Sequence, residues 1–216
     1  MADPDPTERA AEYVIAHSSP PDDVVRRLVA ETHGLGDVSR MQITTDEGAF
    51  LTLVARLVRA RRAVEVGTFT GYSAICIARG LADDGRLLCC DVSEEWTSIA
   101  RRYWAEAGLA DRIELRLGPA AETLRSLSPD PQFDLAFIDA DKTGYPTYWA
   151  EIVPRMHAGG AVVVDNVFQG GRVFDDAATD ESAVAVRAFN DHVVADDRVQ
   201  VAMLPIRDGV TLAVKR

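Results

Sequence analysis

Residues 137–145 read FIDADKTGY: an apolar run from Leu135 to Ile138 ends in Asp139 and Asp141, with Lys142 directly behind them. Two acids beside a lysine can grip a cation and move a proton, although a plain turn can carry the same residues. Lysine is scarce here, since Lys142 and Lys215 stand against 21 arginines. A lysine can give up its proton in a protein, and an arginine effectively cannot. A second apolar run, AVVVD at 161–165, ends in Asp165 and Asn166. If both runs are neighbouring parallel strands, their ends lie about 5 Å apart. The side-chain oxygens of Asp139, Asp165 and Asn166 could then converge. An all-oxygen set without His or Cys selects a hard cation, Mg²⁺, Ca²⁺ or Mn²⁺, with positions left open for water or substrate.

A third stretch, AVEVGTFTGYSAICIARGL at 63–81, reads as strand, glycine turn and helix. Ligands of such units sit beyond the strand's carboxyl end, where glycine lets the backbone approach them. The dinucleotide fingerprint GxGxxG would need glycine at 69 and 72, where Phe69 and Tyr72 stand, and no phosphate-cradling GxxxxGK[ST] is present. A nucleophile elbow around Ser73 fails at Ile75. What remains is Glu65-x-Gly67-x-x-x-Gly71. A carboxylate at this strand end repels a pyrophosphate and suits a cationic or hydroxyl-rich ligand, which favours a sulfonium cofactor over a dinucleotide. Asp91 ends the next apolar run, 20 residues after Gly71, where an acid accepts hydrogen bonds from a ribose diol.

The elements that must position these residues follow from periodicity. Residues 1 to about 60 read as helices, in EYVIAHS, DDVVRRLVAETHG and TTDEGAFLTLVARLVRARR, with Pro20-Pro21 parting the first two. Thr44, Thr45 or Asp46 could cap the third. From Ala63 on, the runs AVEV, RLLCC, RIELRL, DLAFID and AVVVD alternate with helical stretches at 72–82, 93–108, 120–127 and 145–156. That alternation predicts an α/β fold, a parallel sheet with helices on both faces. VQVAMLP and TLAVKR follow with IRDGV between them, and Asp208-Gly209 signals a hairpin, so the sheet should finish with an antiparallel pair. We expect one domain, with 1–60 a helical arm and 61–216 the α/β core.

Composition narrows the function classes. The chain has 216 residues, 47% of them hydrophobic, enough to bury a sizeable core. Its net charge of −11 argues against affinity built on neutralising phosphates, so nucleic acid and anionic membranes are poor expected partners. No run approaches the ~20 apolar residues of a membrane span, and the N-terminus lacks a secretory pattern, giving a cytoplasmic expectation. Cys76, Cys89 and Cys90 form no CxxC pair and read as buried reduced thiols. The four histidines are scattered, which fits surface or packing roles.

VEVGTFTGYS, FIDADKTGYPTYW, GGAVVVDNVFQGGRV and LPIRDGVTLAVKR together resemble the cation-dependent, S-adenosylmethionine-dependent O-methyltransferases, from about Met41 to the C-terminus. That family includes catechol and caffeoyl-CoA O-methyltransferases and small bacterial relatives. The resemblance implies a class I methyltransferase, a Rossmann-like fold of seven strands, mostly parallel with an antiparallel C-terminal hairpin. It implies a divalent cation, Mg²⁺ first, on Asp139, Asp165 and Asn166. It places Glu65, Gly67, Ser73, Asp91, Ala120, Asp139 and Asp141 around the cofactor, with Met41, Ile43 and Tyr148. Lys142 matches the catalytic lysine, and Asp139 shares in catalysis.

The acceptor implied is a small vicinal-dihydroxy aromatic, and the assembly a homodimer with the N-terminal helices over the acceptor. Two positions depart from the family: Pro119 stands where relatives often have an acid, and Gln169 where many have a tryptophan over the acceptor ring. The second leaves the acceptor open. The alternatives are a tRNA hydroxyuridine O-methyltransferase, disfavoured by net charge, and an NAD(P)-dependent oxidoreductase, disfavoured by Glu65 and the missing third glycine. A non-catalytic cofactor-binding subunit is disfavoured by the intact metal set and Lys142.

Overall fold

A computed structural model describes residues 6–216, so the first five residues of the expected arm lie outside it. Eight α-helices and seven strands are present among the described residues. In chain order they are α1 (Pro6–Ala16), α2 (Asp23–His33), α3 (Thr45–Leu57), β1 (Arg62–Val66), α4 (Tyr72–Gly80), β2 (Arg86–Asp91), α5 (Glu94–Glu106), β3 (Ile113–Leu117), α6 (Ala120–Ser126), β4 (Phe133–Ile138), α7 (Tyr145–Ile152), β5 (Met156–Val164), α8 (Glu181–Ala195), β6 (Val199–Leu204) and β7 (Val210–Lys215). The strands form one sheet in the order β3-β2-β1-β4-β5-β7-β6. The first five pair in parallel, and β7 pairs antiparallel with both β5 and β6.

The central strands β1, β4 and the second half of β5 are buried on both faces, with successive residues pointing to opposite sides. Ala63, Leu87, Cys89, Leu135, Phe137 and Val163 pack on one side with α2, α3, α4 and α5. Val64, Leu88, Cys90, Ala136, Ile138 and Val164 pack on the other with α6, α7 and α8. All three cysteines are free and buried, as expected.

Helix ends follow local chemistry. Asp22 caps α2 by accepting from the Val25 amide at 3.0 Å, and Asp180 caps α8 by accepting from Ala183 at 3.0 Å. Thr44 holds the N-cap position of α3, but its hydroxyl accepts from Arg207 at 3.1 Å instead of from the helix. Helix α3 stops at Leu57, and Arg62 already belongs to β1, so the long helical reading through Arg62 overran by one turn. Strand β5 starts five residues before Ala161, across a register irregularity opposite Phe133 and Leu135.

Two features position the site. The chain runs outward from β1 to β3 on one side and from β4 to β5 on the other, which opens a crevice at the β1/β4 switch point. The β6–β7 turn then folds over that crevice. Asp208 accepts from the Gly170 amide at 2.7 Å, its carbonyl accepts from Phe168 at 2.8 Å, and Arg207 pairs with Asp46 at 2.5 Å. Gly209, at φ +81°, lies so close to Phe168 that a Cβ would come within 2.5 Å of its ring. One hairpin thus ties the loop after β5 to the start of α3.

Candidate active site

A cleft of about 1200 Å³ opens at the carboxyl ends of β1, β2, β4 and β5. Met41, Ile43, Gly67, Ser73, Asp91, Ala120, Asp139, Asp141, Lys142, Tyr148, Asp165 and Asn166 all line it. Pro119 and Gln169 line it too. Glu65 alone of the expected residues does not line it; it is fully buried beneath the glycine loop.

The loop's shape is set by its glycines and by Asp91. Gly67 has φ +89°, and a Cβ there would sit 1.8 Å from the Asp139 carbonyl oxygen, so the β1 turn and the β4 end can meet only at glycine. Asp91 Oδ2 accepts from the amides of Thr68 at 2.8 Å and Phe69 at 2.9 Å, while Oδ1 accepts from Ser93 at 2.8 Å. Asp91 therefore holds the loop as well as facing the cleft. Beneath, one Glu65 oxygen accepts from the Thr68 hydroxyl at 2.9 Å and the Cys89 thiol at 3.3 Å. Its Oε1 has no protein partner. Burial pushes its pKa up to about 7 against those hydrogen bonds. A buried carboxyl with a free oxygen under a loop that opens on the cleft suits a cationic cofactor such as a sulfonium amino acid.

The other half of the cleft is built by strand register. Ile138 pairs with Val164, so the next residues, Asp139 and Asp165, stand side by side. The Asp165 amide donates to the Ile138 carbonyl at 3.0 Å and that of Asp139 to Val66 at 2.9 Å, fixing both backbones. Lys142 Nζ donates to Asp139 Oδ1 at 3.1 Å, to Asn166 Oδ1 at 2.7 Å and to the Tyr145 hydroxyl at 2.6 Å. An ammonium therefore already bridges two of the three expected ligand oxygens. The lysine and Asp139 side chains are only 15% and 17% exposed, so this cation lies largely out of water. Hard oxygen donors gathered around a positive charge fit a divalent cation of the Mg²⁺ type. Asp165 has its pKa raised to about 7, by burial first and by the charge of Asp139 second. Across the cleft, the Tyr148 hydroxyl donates to Asp141.

Three residues at this site escaped sequence reading. Tyr145 is fully buried, accepts from Lys142 and donates to the Asp165 carbonyl at 3.0 Å, so it aims the lysine. Arg207 pins Asp46 from the far end of the chain. Glu47, in the first turn of α3, is 3% exposed, and burial followed by the charges of Asp165 and Asp139 raises its pKa to about 9. The sequence signal for Glu47 is the acid pair Asp46-Glu47 opening a helix whose remaining residues are mostly apolar.

The profile of the O-methyltransferase family matches residues 15–216. A Dictyostelium discoideum protein named "Probable caffeoyl-CoA O-methyltransferase 1" is 38% identical over 207 residues, 94% of this chain and 90% of that protein. Among solved structures, the O-methyltransferase TomG from Streptomyces achromogenes, in complex with SAM, superposes with TM-score 0.88 at 32% identity, covering 98% of this chain and 99% of that one. The Bacillus cereus O-methyltransferase in complex with SAH gives TM-score 0.87 at 30% identity over 96% and 97% of the two chains. The profile match, the relative and the cleft agree: the chain belongs to the O-methyltransferase family and is an S-adenosylmethionine-dependent O-methyltransferase.

Proposed function

We propose that the protein transfers a methyl group to one oxygen of a small vicinal-dihydroxy aromatic in a reaction that depends on a divalent cation. The observation that carries this reading is the Lys142 ammonium seated on Asp139 and Asn166 beside Asp165. Asp139, Asp165 and Asn166 would hold the cation, and the glycine loop, Asp91, Asp141 and Glu65 would hold the cofactor. S-adenosylmethionine supplies the methyl group, and a bound Mg²⁺ lowers the pKa of an acceptor hydroxyl that is otherwise near 10.

This chain's residues do the rest. Lys142, held by Tyr145, stands within reach of an oxygen placed at Asp139 and Asn166, and in its neutral form, once the ammonium has released a proton to solvent, Nζ would take the hydroxyl proton. Asp141, fixed by Tyr148, orients the cofactor side. The register of β4 against β5 and the Gly67 contact hold the two halves at a fixed separation. Such positioning can supply roughly 7 to 11 kcal/mol of the barrier at best. Gln169, Gly170 and Arg172 line the cleft together with Arg40 to Thr44, and Gln169 replaces a flat aromatic wall with an amide.

The test is methyl transfer from labelled S-adenosylmethionine to a panel of diphenols with Mg²⁺ and with chelator. Vicinal diphenols should turn over, isolated phenols should not, and chelator should stop the reaction. Undiminished turnover in chelator would sink the cation reading. Leu53 and Leu57 on α3 are 56% and 81% exposed, which supports pairing of the arm with a second copy. Sedimentation should then give a dimer.

A further inference from the structure

We infer that Glu47 is an outer acceptor of the cation centre, orienting the ion's water shell from the helical arm. The inference rests on the cation reading above and extends it to a residue outside the β4 and β5 strand ends. Glu47 lines the cleft, yet its side chain is almost entirely withdrawn from water. Its carboxyl and that of Asp165 are neighbours close enough to act on each other's ionisation. Glu47 Oε1 has no hydrogen-bond partner among the described residues. Leaving a buried polar atom unpaired costs free energy, so such an atom is expected to meet something the protein side chains do not supply.

The surroundings narrow what that is. The neighbours of Glu47 inside the cleft are acids, Asp165 and Asp139, with Asp46 on its own helix. Arg207 directs its Nε and Nη2 donors at Asp46 and Thr44. Lys142 spends its three on Asp139, Asn166 and Tyr145. Neither cation hydrogen-bonds to Glu47 or to the Asp165 carboxylate among the described residues, and a bound cation would relieve those two acids.

No three His, Cys, Asp or Glu side chains among the described residues converge tightly enough to hold an ion unaided. Glu47 would therefore meet the ion through its water shell and not as a direct ligand. Mg²⁺ keeps several waters and needs acceptors to orient them. The Arg207–Asp46 pair fixes the first turn of α3 from which Glu47 reaches in. Glu47 thereby becomes the link through which cation binding orders the arm over the acceptor.

The experiment is calorimetric titration of the full chain with Mn²⁺ and with Mg²⁺, in wild type, E47Q and D165N, with S-adenosylmethionine affinity measured alongside. Glutamine keeps the size of Glu47 and can still hydrogen-bond Asp165, so a purely structural Glu47 predicts unchanged cation affinity. We expect E47Q to weaken cation binding by roughly 10-fold to 100-fold and to leave cofactor affinity within about 2-fold, with D165N weaker still. Cation affinity in E47Q equal to or above wild type, with D165N impaired, overturns the role of Glu47 and spares the centre. Unaltered binding in both variants removes the cation centre itself. If E47Q is poorly folded, E47D serves instead: a shortened acid should bind the ion less tightly while keeping the charge, and wild-type affinity there would also overturn the inference.

Discussion

The two ends of the sheet treat the same chemical group in opposite ways. Asp134, near the start of β4, accepts from the amides of Arg61 and Arg62 at 2.8 and 3.0 Å and from His157 at 2.9 Å, and these bonds hold its pKa below the ordinary value. Asp196, just beyond α8, accepts from Arg198 and from the buried Trp149 indole at 2.9 Å, and Arg198 first among its partners holds it well below the usual carboxylate range. At the other end of the strands, Asp165, Glu47 and Glu65 are all pushed upward, chiefly by burial. Donors fill both oxygens of each acid in the first set, whereas in the second Glu47 and Glu65 each keep one oxygen, Oε1, without a partner. Carboxyls whose needs are met inside the chain are structural; carboxyls left with free oxygens in a cleft are set for a ligand.

The comparison can be broken most severely at the cleft. Asp165→Ala should remove metal-dependent methyl transfer, a loss of more than about 100-fold, with cofactor affinity largely kept. Radiometric turnover with equilibrium dialysis of S-adenosylmethionine checks both halves. Lys142→Ala should lower kcat by roughly 10²-fold to 10⁴-fold with little change in KM, as loss of a proton acceptor does. A rise in KM at constant kcat would make Lys142 a binding residue.

Smaller effects sharpen the contrast through pH. The folded pKa of Glu65 is about 7, above its ordinary 4.5. Its stabilising contribution is therefore complete below about pH 4.5 and declines as pH rises through 7. The cofactor-free protein should lose Tm between pH 5 and about 8, and Glu65→Gln should flatten that fall. Asp196 has the opposite sign: its pKa is depressed, so its stabilisation is complete above the ordinary 3.8 and drains away as pH falls. Asp196→Asn should cost about 1 to 3 kcal/mol at neutral pH, since it weakens the charged bond to Arg198. It should also flatten the acid limb, with cation affinity unchanged. An identical acid limb in the variant would remove Asp196 from this contrast.

Much of the site was legible before any coordinates. Acids and an amide placed immediately after β-branched runs, Asp91, Asp139, Asp165 and Asn166, are readable because a strand's end is marked by the residue that stops being apolar. The glycine loop was legible for a related reason, as Gly67 and Gly71 hold positive φ that other residues resist. Helix α8 went unread although Asp180 caps it and Ala183, Val186, Phe189 and Val193 line one face. Its charged, alanine-rich opening gave a weak periodic signal beside the strands that flank it.

Sequence by itself determined the order of the strands and of the helices between them up to β5, the polar residues that end the strands and the chemistry those residues can perform, because each depends on neighbours within a few positions. Tertiary structure alone decided that Glu65 lies beneath the loop instead of on the cleft wall, that Tyr145 holds Lys142 and that Arg207 reaches Asp46 across 161 positions. It also decided that Glu47 faces Asp165 with an oxygen to spare. Those facts depend on which groups are desolvated together, and local sequence does not encode desolvation by distant segments.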